Sequence, residues 1–530
     1  MTRAAKRTHE ARRLALQTKL DAEKTPEQRN IMGQFATPTV LARDILTYAV
    51  SLLPEVAPIR FLDPGIGTGS FYSALRASVP AKRIKAAEGF EIDPHYALPA
   101  QDLWTKTPLK IRMTDFTTAV PPAEDQERFN LLICNPPYVR HHHILTGEKV
   151  RLQDASEQAC GVRIAGLAGL YCYFLALSHA WMSEDGIAAW LIPSEFMDVN
   201  YGRAVKRYLL SKVNLLRIHR FDPNDVQFAD ALVSSAIVFF LKQPPPADHH
   251  VQFTFGGMLA NPKISRLIPA KELTKENKWT RFPVAEIREK HNGVTLGDLF
   301  RIKRGLATGD NSFFILTRDQ IGEHQLPWEF FRPILPSTRY LKGNHIKADK
   351  DGNPVLERQL FLLDCRLPEE DVKLRYPMLW AYLQTGKPDV SERYLSRHRK
   401  PWYSQENRPP APLICTYLGR SNKKNGRPPF RFILNESKAT AANVYLLLYP
   451  KPALDRALAT DKKLARKIWT WLNSIKAEEL LSHGRVYGGG LHKLEPNELA
   501  SVPADQITRL AGITLAPPQE QGDLFVEEVA

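Results

Sequence analysis

The feature that most constrains this chain is a series of short apolar runs between residues 57 and 242, separated by stretches of helical character. The first four runs begin roughly 20 to 30 residues apart, which is the length of a strand with its following helix. Their Val, Ile, Leu and Phe content is typical of parallel strands buried on both faces. We therefore predict a doubly wound, Rossmann-like α/β sheet that binds ligands beyond the carboxyl ends of its strands. The predicted strands are Ile59–Leu62, Ala87–Ile92, Leu109–Met113, Phe129–Cys134, Ile187–Ile192, Leu215–His219 and Ser235–Leu241.

The composition changes after this region. The stretch QPPPADHH at 243–250 has three consecutive prolines and a polar flank, which is typical of a linker. Beyond about residue 290, prolines become frequent and basic and aromatic residues interleave, which indicates a second, mixed α+β domain. The predicted segments are a basic lead-in at 1–30, the α/β domain at 31–245, a connecting segment at 246–290, the second domain at 291–505 and an acidic, disordered tail at 506–530.

Charge and composition narrow the class of protein. The net charge of +15 and the pI near 9.4 favour a polyanionic partner such as nucleic acid. The chain has no run of 18 apolar residues, and its N-terminus lacks the apolar core of a secretory signal. We therefore expect neither a membrane-spanning segment nor a membrane partner. The 5 cysteines form no CxxC pair, which indicates reduced thiols in a cytosolic protein. The run His141–His143 has no paired acid or cysteine nearby, so no metal is predicted.

A glycine-rich turn, Asp63–Gly69 (DPGIGTG), follows the first predicted strand and would let a ligand approach the backbone closely. It lacks the Gly-Lys-Ser/Thr of a phosphate-binding loop and the spacing of a dinucleotide fingerprint, and alone it is equally typical of a tight connection. Glu91 ends the second strand, where an acid can accept hydrogen bonds from both ribose hydroxyls of an adenosine ligand, although a strand-end turn acid is the alternative. The candidate cofactor contacts here are Asp63, Gly65, Gly67, Gly69, Glu91 and Ile92.

Asp115 and Phe116 end the third predicted strand. The carboxylate can accept a hydrogen bond from an adenine amine, and the ring can stack on the adenine. A solvated turn is the alternative for this pair.

The strongest signal is Asn135-Pro136-Pro137-Tyr138, at the end of the fourth predicted strand. Two prolines cannot continue the strand ladder, and they offer carbonyls without N–H groups. The Asn135 side-chain oxygen and the Pro136 carbonyl can both accept from one NH2 group. An aromatic amine is a poor nucleophile because its lone pair is delocalised, and two acceptors stabilise the positive charge that develops on it during transfer. Tyr138 would supply a π-face for the base, and Asn135 is also a candidate cofactor contact.

Together and in this order, these motifs resemble the γ-class N6-adenine DNA methyltransferases of type II restriction–modification systems, the TaqI-like enzymes. The resemblance implies a class I methyltransferase fold, S-adenosylmethionine as cofactor, and methyl transfer to N6 of an adenine extruded from double-stranded DNA. It also implies a monomer in the bacterial cytoplasm, with a cognate restriction endonuclease acting separately.

Two further segments take their roles from the resemblance. Gly33–Pro38 (GQFATP) is similar to the motif that contacts the methionine part of the cofactor, through Phe35, Thr37 and Pro38, although Ala36 stands where the family often has Tyr. Phe228 lies where a loop aromatic of the family packs on the extruded base.

The second domain is expected to recognise the DNA target, with Arg and Lys holding phosphates. Its candidate DNA contacts are Arg304, Arg397, Arg399, Lys400, Arg420, Lys423 and Lys424. In the tail, Gln521–Phe525 (QGDLF) resembles the short motif that docks bacterial proteins on the replication sliding clamp, the alternative being an acidic tail with no partner.

Three other functions compete with this interpretation. The first is cytosine-N4 methylation, in whose enzymes Ser more often replaces the residue at Asn135. The second is methylation of RNA or of protein glutamine, although those enzymes are usually smaller and lack a large basic C-terminal domain. The third is a nonenzymatic DNA-binding protein with a degenerate fold, against which the intact set of motifs speaks.

Overall fold

A computed structural model describes residues 3–222, 234–283, 293–420, 428–487 and 491–515. The chain forms two compact units, one of residues 1–288 with 487–489 and the other of residues 289–486 with 490–530. No helix in these described ranges is long and apolar enough to cross a membrane.

The first unit is built on a 9-stranded sheet with strand order β3-β2-β1-β4-β5-β7-β6-β8-β9. The strands are β1 Ile59–Asp63, β2 Ile84–Phe90, β3 Leu109–Arg112, β4 Phe129–Cys134, β5 Met182–Pro193, β6 Asn214–Arg220, β7 Ser235–Leu241, β8 His250–Gly257 and β9 Pro262–Pro269. Strands β1 to β5 pair in parallel, and β7 runs antiparallel to both β5 and β6. Each of the seven apolar runs overlaps a strand, which confirms the predicted doubly wound class, although Ala87–Ile92 extends two residues beyond β2 and Leu109–Met113 one residue beyond β3.

Both faces of the central strands β1, β4, β5 and β7 are buried, which explains why these strands contain continuous apolar runs. In β4, Leu131 and Ile133 face one hydrophobic core, whereas Leu132 and Cys134 face another, as the alternation of side chains along a strand requires. Helices cover the two faces. They are α1 Arg3–Ala22, α2 Pro26–Met32, α3 Thr39–Ser51, α4 Ser70–Ser78, α5 Pro94–Trp104, α6 Thr146–Cys160, α7 Leu170–Leu177, α8 Gly202–Ser211 and α9 Ala270–Lys275.

The ends of the first unit differ from the expected segments. The lead-in contains the 20-residue helix α1, whose Arg13 and Leu20 are buried. The connecting segment at 246–290 contains β8 and β9, which extend the sheet because β8 pairs in parallel with β6. The proline-rich stretch is only the short link between β7 and β8.

The second unit has mixed α and β structure. Its sheets are 5-stranded, 4-stranded and 3-stranded, and within the 5-stranded sheet β15 pairs antiparallel with both β17 and β19. The strands are β10 Phe300–Arg304, β11 Ile315–Leu316, β12 Phe331–Leu335, β13 His345–Ile346, β14 Leu360–Leu363, β15 Leu413–Thr416, β16 Leu418–Arg420, β17 Phe432–Asn435, β18 Thr440–Ala441, β19 Tyr445–Pro450, β20 Arg485–Tyr487 and β21 Leu491–Lys493.

The helices of this unit are short. They are α10 Leu296–Leu299, α11 Asn311–Phe314, α12 Arg318–Glu323, α13 Glu369–Arg375, α14 Pro377–Thr385, α15 Tyr394–Arg397, α16 Pro452–Thr460, α17 Leu464–Ser474, α18 Ala477–His483, α19 Pro496–Ala500 and α20 Asp505–Ala511. Helix α20 occupies the start of the segment expected to be a disordered tail, and it is ordered there because Ile507 is buried in the core of this unit.

Candidate active site

The predicted motifs meet at the carboxyl edge of the large sheet. Strand β1 lies between β2 and β4 and runs parallel to both, so the turns that follow these three strands are neighbours. The glycine turn follows β1, Glu91 follows β2 and Asn135 follows β4. The sheet therefore assembles in one place three motifs that lie far apart in sequence.

The glycine turn uses each of its glycines differently. Gly67 and Gly69 have positive φ, which favours glycine, and a Cβ on Gly69 would lie 2.6 Å from Nε1 of Trp104. A Cβ on Gly67 would meet nothing within 4 Å, so the turn is open at that point. Gly65 lies beside the Asn135–Tyr138 motif, because a Cβ added to Gly65 would be 3.4 Å from the backbone oxygen of Asn135.

Two buried carboxyl groups accompany the turn. Asp63 is 1% exposed, and burial raises its pKa to about 8, although Oδ1 accepts a hydrogen bond of 3.2 Å from Gly65 N. Burial also raises the pKa of Glu91 to about 7. Glu91 accepts from Gly67 N at 3.2 Å and from Asp93 N at 2.9 Å, so the turn itself holds this carboxyl group in place. Such perturbed carboxyl groups in one place are characteristic of functional sites.

The segment after β3 differs in part from the expectation. Asp115 accepts a hydrogen bond of 2.8 Å from Thr117 N. The Phe116 ring, expected to stack on an adenine, is 2% exposed and lies 5.2 Å from the Phe90 ring and 5.3 Å from the Phe174 ring. The Phe116 ring is part of the core because burial among aromatic rings is favourable for an apolar side chain.

Asn135 is held by the segment that precedes α3. Its Nδ2 donates to the Phe35 carbonyl at 2.8 Å and to Thr37 Oγ1 at 3.2 Å, and Thr37 is itself buried. With the amide hydrogens used in this way, Oδ1 is a buried acceptor that has no hydrogen-bond partner among the described residues. A buried acceptor without a partner is costly unless a ligand satisfies it.

Tyr138 is fixed at both ends. Its backbone N donates to the Gly33 carbonyl at 3.2 Å, and its hydroxyl donates to the Leu191 carbonyl of β5 at 3.1 Å. Its ring lies 5.6 Å from the Phe35 ring at an interplanar angle of 41°. Burial raises the pKa of Tyr138 well above its usual value, so the phenol stays neutral and serves as a positioned ring.

Two of the remaining expected cofactor contacts are exposed. Pro38 is exposed and caps α3, and Ile92 is 54% exposed beyond the end of β2. Phe228 lies outside the described residues. Within the described ranges, no group of three or more His, Cys, Asp or Glu could hold a metal ion.

The basic residues of the second unit divide into two kinds. Arg304, Arg397, Lys400 and Arg420 are exposed. Arg399 is partly buried and donates to the carbonyls of Thr308 at 2.7 Å and Ala307 at 2.6 Å, so its guanidinium stabilises the loop after β10. A contact of Arg399 with DNA stays a prediction.

Lys423 and Lys424, like the docking motif Gln521–Phe525, lie outside the described residues.

Sequence reasoning missed the side chains of α1 that contact the glycine turn. Arg13 donates to Thr68 Oγ1 at 3.2 Å and to Ser70 Oγ at 3.0 Å, and Thr68 donates to Gln17 at 2.5 Å. Only the pair of Glu10 and Arg13, three residues apart on a helix, is a local signal for this arrangement.

Comparison with known proteins identifies the family of the chain. The family model of the Eco57I restriction-modification methylase matches residues 83–227, which include Asn135–Tyr138, and the model of the C-terminal domain of type II methyltransferase M.Eco57I matches residues 277–516. Together the two stretches make up more than half of the chain. The chain belongs to the Eco57I-type restriction–modification methyltransferases. This confirms the γ-class resemblance of the motifs.

Whole-length relatives of this Eco57I-type methyltransferase are type II enzymes. Type II methyltransferase M.XamI of Xanthomonas campestris pv. amaranthicola is 29% identical over 486 residues, covering 88% of this chain and 84% of the relative. Type II methyltransferase M.AccI of Acinetobacter calcoaceticus is 26% identical over 499 residues, covering 89% and 85%. The Type ISP restriction-modification enzyme LlaGI shares the fold with a TM-score of 0.50 and 12% identity, over 90% of this chain and 54% of that one.

Proposed function

We propose that this Eco57I-type methyltransferase transfers a methyl group from S-adenosylmethionine to N6 of an adenine extruded from double-stranded DNA. The observation that carries the proposal is Asn135, whose Nδ2 is bound by Phe35 and Thr37 while its buried Oδ1 lacks a partner among the described residues. Such an oxygen fits an NH2 group that brings its own hydrogens.

The residues present fit the cofactor. The open side of the glycine turn at Gly67 gives room for a ligand close to the backbone, and Glu91 is held there as an acceptor for ribose hydroxyls. Phe35 and Thr37 would line the methionine end, because they contact Asn135 directly. When bound, S-adenosylmethionine supplies an electrophilic methyl group on its sulfonium sulfur.

The protein's part in the reaction is to hold the amine. Asn135 Oδ1 and the Pro136 carbonyl accept the two hydrogens of the NH2 group, which directs the nitrogen lone pair at the methyl carbon and stabilises the charge that develops. As the new N–C bond forms and the S–C bond breaks, the electron pair of that bond stays on sulfur. The nitrogen then loses one proton to solvent, and no strong base is needed.

Stacking on Tyr138 would offset part of the free-energy cost of extruding the base. Taking a base out of the stack costs a few kcal/mol. Stacking on an aromatic ring offsets about 1–3 kcal/mol of that cost. The hydroxyl contact to Leu191 and the ring contact to Phe35 fix the orientation of Tyr138, so little conformational freedom is lost when a base stacks on it.

The polyanionic partner we propose is duplex DNA in the bacterial cytoplasm, where a separate cognate restriction endonuclease would cut unmodified sites. The net charge of +15 supports it, as do the exposed Arg304, Arg397, Lys400 and Arg420 of the second unit, which we propose to be the target-recognition domain. The LlaGI enzyme, which shares the fold, was solved with a DNA substrate mimic.

The test is modification mapping by long-read sequencing of DNA from cells that express the chain. N6-methyladenine at one sequence motif is expected with the wild type. Asn135→Ala should abolish it, while the exposed Asn261→Ala should leave it unchanged. Purified Asn135→Ala should still bind S-adenosylmethionine, because the cofactor contacts come mainly from the glycine turn and Glu91.

Other outcomes would redirect the assignment. N4-methylcytosine at a motif would mean that the same acceptor pair serves a cytosine amine. Cofactor binding without DNA methylation would turn attention to RNA and protein substrates. Failure of the wild type to bind S-adenosylmethionine in calorimetry would leave a nonenzymatic DNA-binding protein.

A further inference from the structure

Helix α1 carries a buried, charged side chain against the proposed cofactor site. Arg13 is 1% exposed although it is an arginine in a strongly basic helix. Burying a guanidinium is unfavourable unless it is fully hydrogen-bonded. What Arg13 binds therefore indicates why it is buried.

Arg13 connects two segments of the site. It donates to Thr68 Oγ1 at 3.2 Å and to Ser70 Oγ at 3.0 Å, where the glycine turn enters α4. It also donates to Thr39 Oγ1 at 3.2 Å, at the start of α3 and directly after the Phe35–Pro38 segment that holds Asn135. One planar side chain thus binds the end of the glycine turn and the first residue of α3, which directly follows the Phe35–Pro38 segment.

The other side chains of α1 complete this arrangement. Glu10 accepts from Arg13 at 2.7 and 2.9 Å and from Thr39 Oγ1 at 2.5 Å. Although burial alone would raise it, these hydrogen bonds lower the pKa of Glu10, which keeps the pair charged. Gln17 accepts from Thr68 at 2.5 Å. We call Glu10, Arg13, Gln17, Thr39 and Thr68 the Arg13 network.

The back of the glycine turn is covered by the same helix. His9 stacks on Trp104 with ring centroids 5.5 Å apart, and Trp104 Nε1 donates to the Thr68 carbonyl at 3.0 Å. Trp104 also packs against Gly69. The turn therefore has fixed partners on its protein side and is open at Gly67 on the other.

We propose that α1 is a positioning element of the cofactor site, in which the Arg13 network fixes the glycine turn relative to the Phe35–Pro38 segment before the cofactor binds. This inference rests on the proposed use of S-adenosylmethionine. Arg13 touches no reacting atom and acts through the turn. Preorganisation of this kind strengthens ligand binding because the loop loses less freedom when the ligand arrives.

The test compares Arg13→Met with Arg12→Met, a neighbouring exposed arginine on the same helix, in the full-length protein. Arg13→Met should raise the Kd of S-adenosylmethionine in calorimetry and its KM in methylation at least tenfold. At saturating cofactor, kcat should stay within twofold and the KM for DNA should not change. Arg13→Lys should be intermediate, since an ammonium cannot reach all the acceptors of the guanidinium. Arg12→Met should match the wild type.

The split between KM and kcat separates positioning from mere structural support. A purely structural role would lower the fraction of active enzyme, and hence kcat, with KM unchanged. That result, or a folded Arg13→Met that binds the cofactor as the wild type does, overturns the proposal. If Arg13→Met does not fold, Gln17→Leu decides. It removes the contact to Thr68 together with a hydrogen bond to Asp21 within α1, and it should still raise the Kd about threefold.

The same experiments distinguish failure of the proposed function. A wild type that binds S-adenosylmethionine without methylating DNA refutes the function, while the Kd values still test the network. A wild type that does not bind the cofactor refutes both.

Discussion

Replacing Gly33 by alanine should damage the catalytic turn more than its position in a loop suggests. Gly33 ends α2 with φ of 66°, a conformation that costs an alanine about 1–2 kcal/mol. A Cβ there would also lie 2.3 Å from the backbone N of Tyr138 and 2.9 Å from that of Val139. Because both are backbone atoms, no change of rotamer relieves the contact.

The expected loss follows from these two effects. Overpacking against a rigid neighbour costs about 1–3 kcal/mol, so Gly33→Ala should destabilise the first unit by about 2–5 kcal/mol. The matched control is Gly512→Ala, which ends α20 with φ of 60° and has nothing within 4 Å of its Cβ. It should cost only the backbone strain of about 1–2 kcal/mol.

Calorimetry and methylation kinetics measure the two consequences. The additional loss for Gly33→Ala should lower the melting temperature of the first unit by several degrees more than the control lowers that of the second. Because Gly33 O binds Tyr138 N, the turn should move and kcat should fall about 100-fold, as for a displacement of about 1 Å. Equal losses in the two variants, or full activity of Gly33→Ala, would refute the reasoning.

Three further predictions concern charged groups. Folded Glu91 and Asp63 keep their protons up to about pH 7 and 8, respectively, but would lose them near pH 4 when unfolded, so the free energy of unfolding should fall between about pH 5 and 8 in urea titrations. As the pH is raised towards 7 and Glu91 ionises, the affinity for S-adenosylmethionine should increase by up to tenfold per pH unit. In calorimetry, Glu91→Gln should bind the cofactor more weakly, and its affinity should depend less steeply on pH. An unchanged pH dependence would contradict the role assigned to Glu91. Arg399→Met should destabilise the second unit by about 2–4 kcal/mol, whereas Arg397→Met should leave its melting unchanged but weaken DNA binding and reduce its salt dependence. The reverse pattern in melting and salt titrations would show that their roles are exchanged.

The sequence predicts those strands and turns that are determined by residues close together in the chain. Strands buried on both faces must be continuous apolar runs, so β1 to β7 were visible as such. The two prolines after β4 end the ladder wherever they occur, which placed Asn135 at the sheet edge. The order of the turns then followed from the doubly wound topology.

What could not be predicted depends on distant partners. Strand β9 is exposed along most of its length and charged, so it lacks the apolar pattern that marks the other strands. Apart from Glu10 three residues before it, nothing in the sequence distinguishes Arg13 from the exposed Arg12, because the hydroxyls that Arg13 binds are 26 to 57 residues away. Arg399 has the composition of a phosphate contact, yet the carbonyls it binds lie 91 and 92 residues away.

The extension of the large sheet by β8 and β9 has a consequence for transplanting target specificity between relatives. Trp279 and Phe282 pack into the core of the first unit, and Lys206 of α8 donates to the Asn277 carbonyl at 2.5 Å. A hybrid spliced at residue 245 would import two foreign strands and foreign core aromatics into the methyl-transferring half. A splice between residues 283 and 293 would exchange the proposed target-recognition unit and leave the core of the first unit with its own partners.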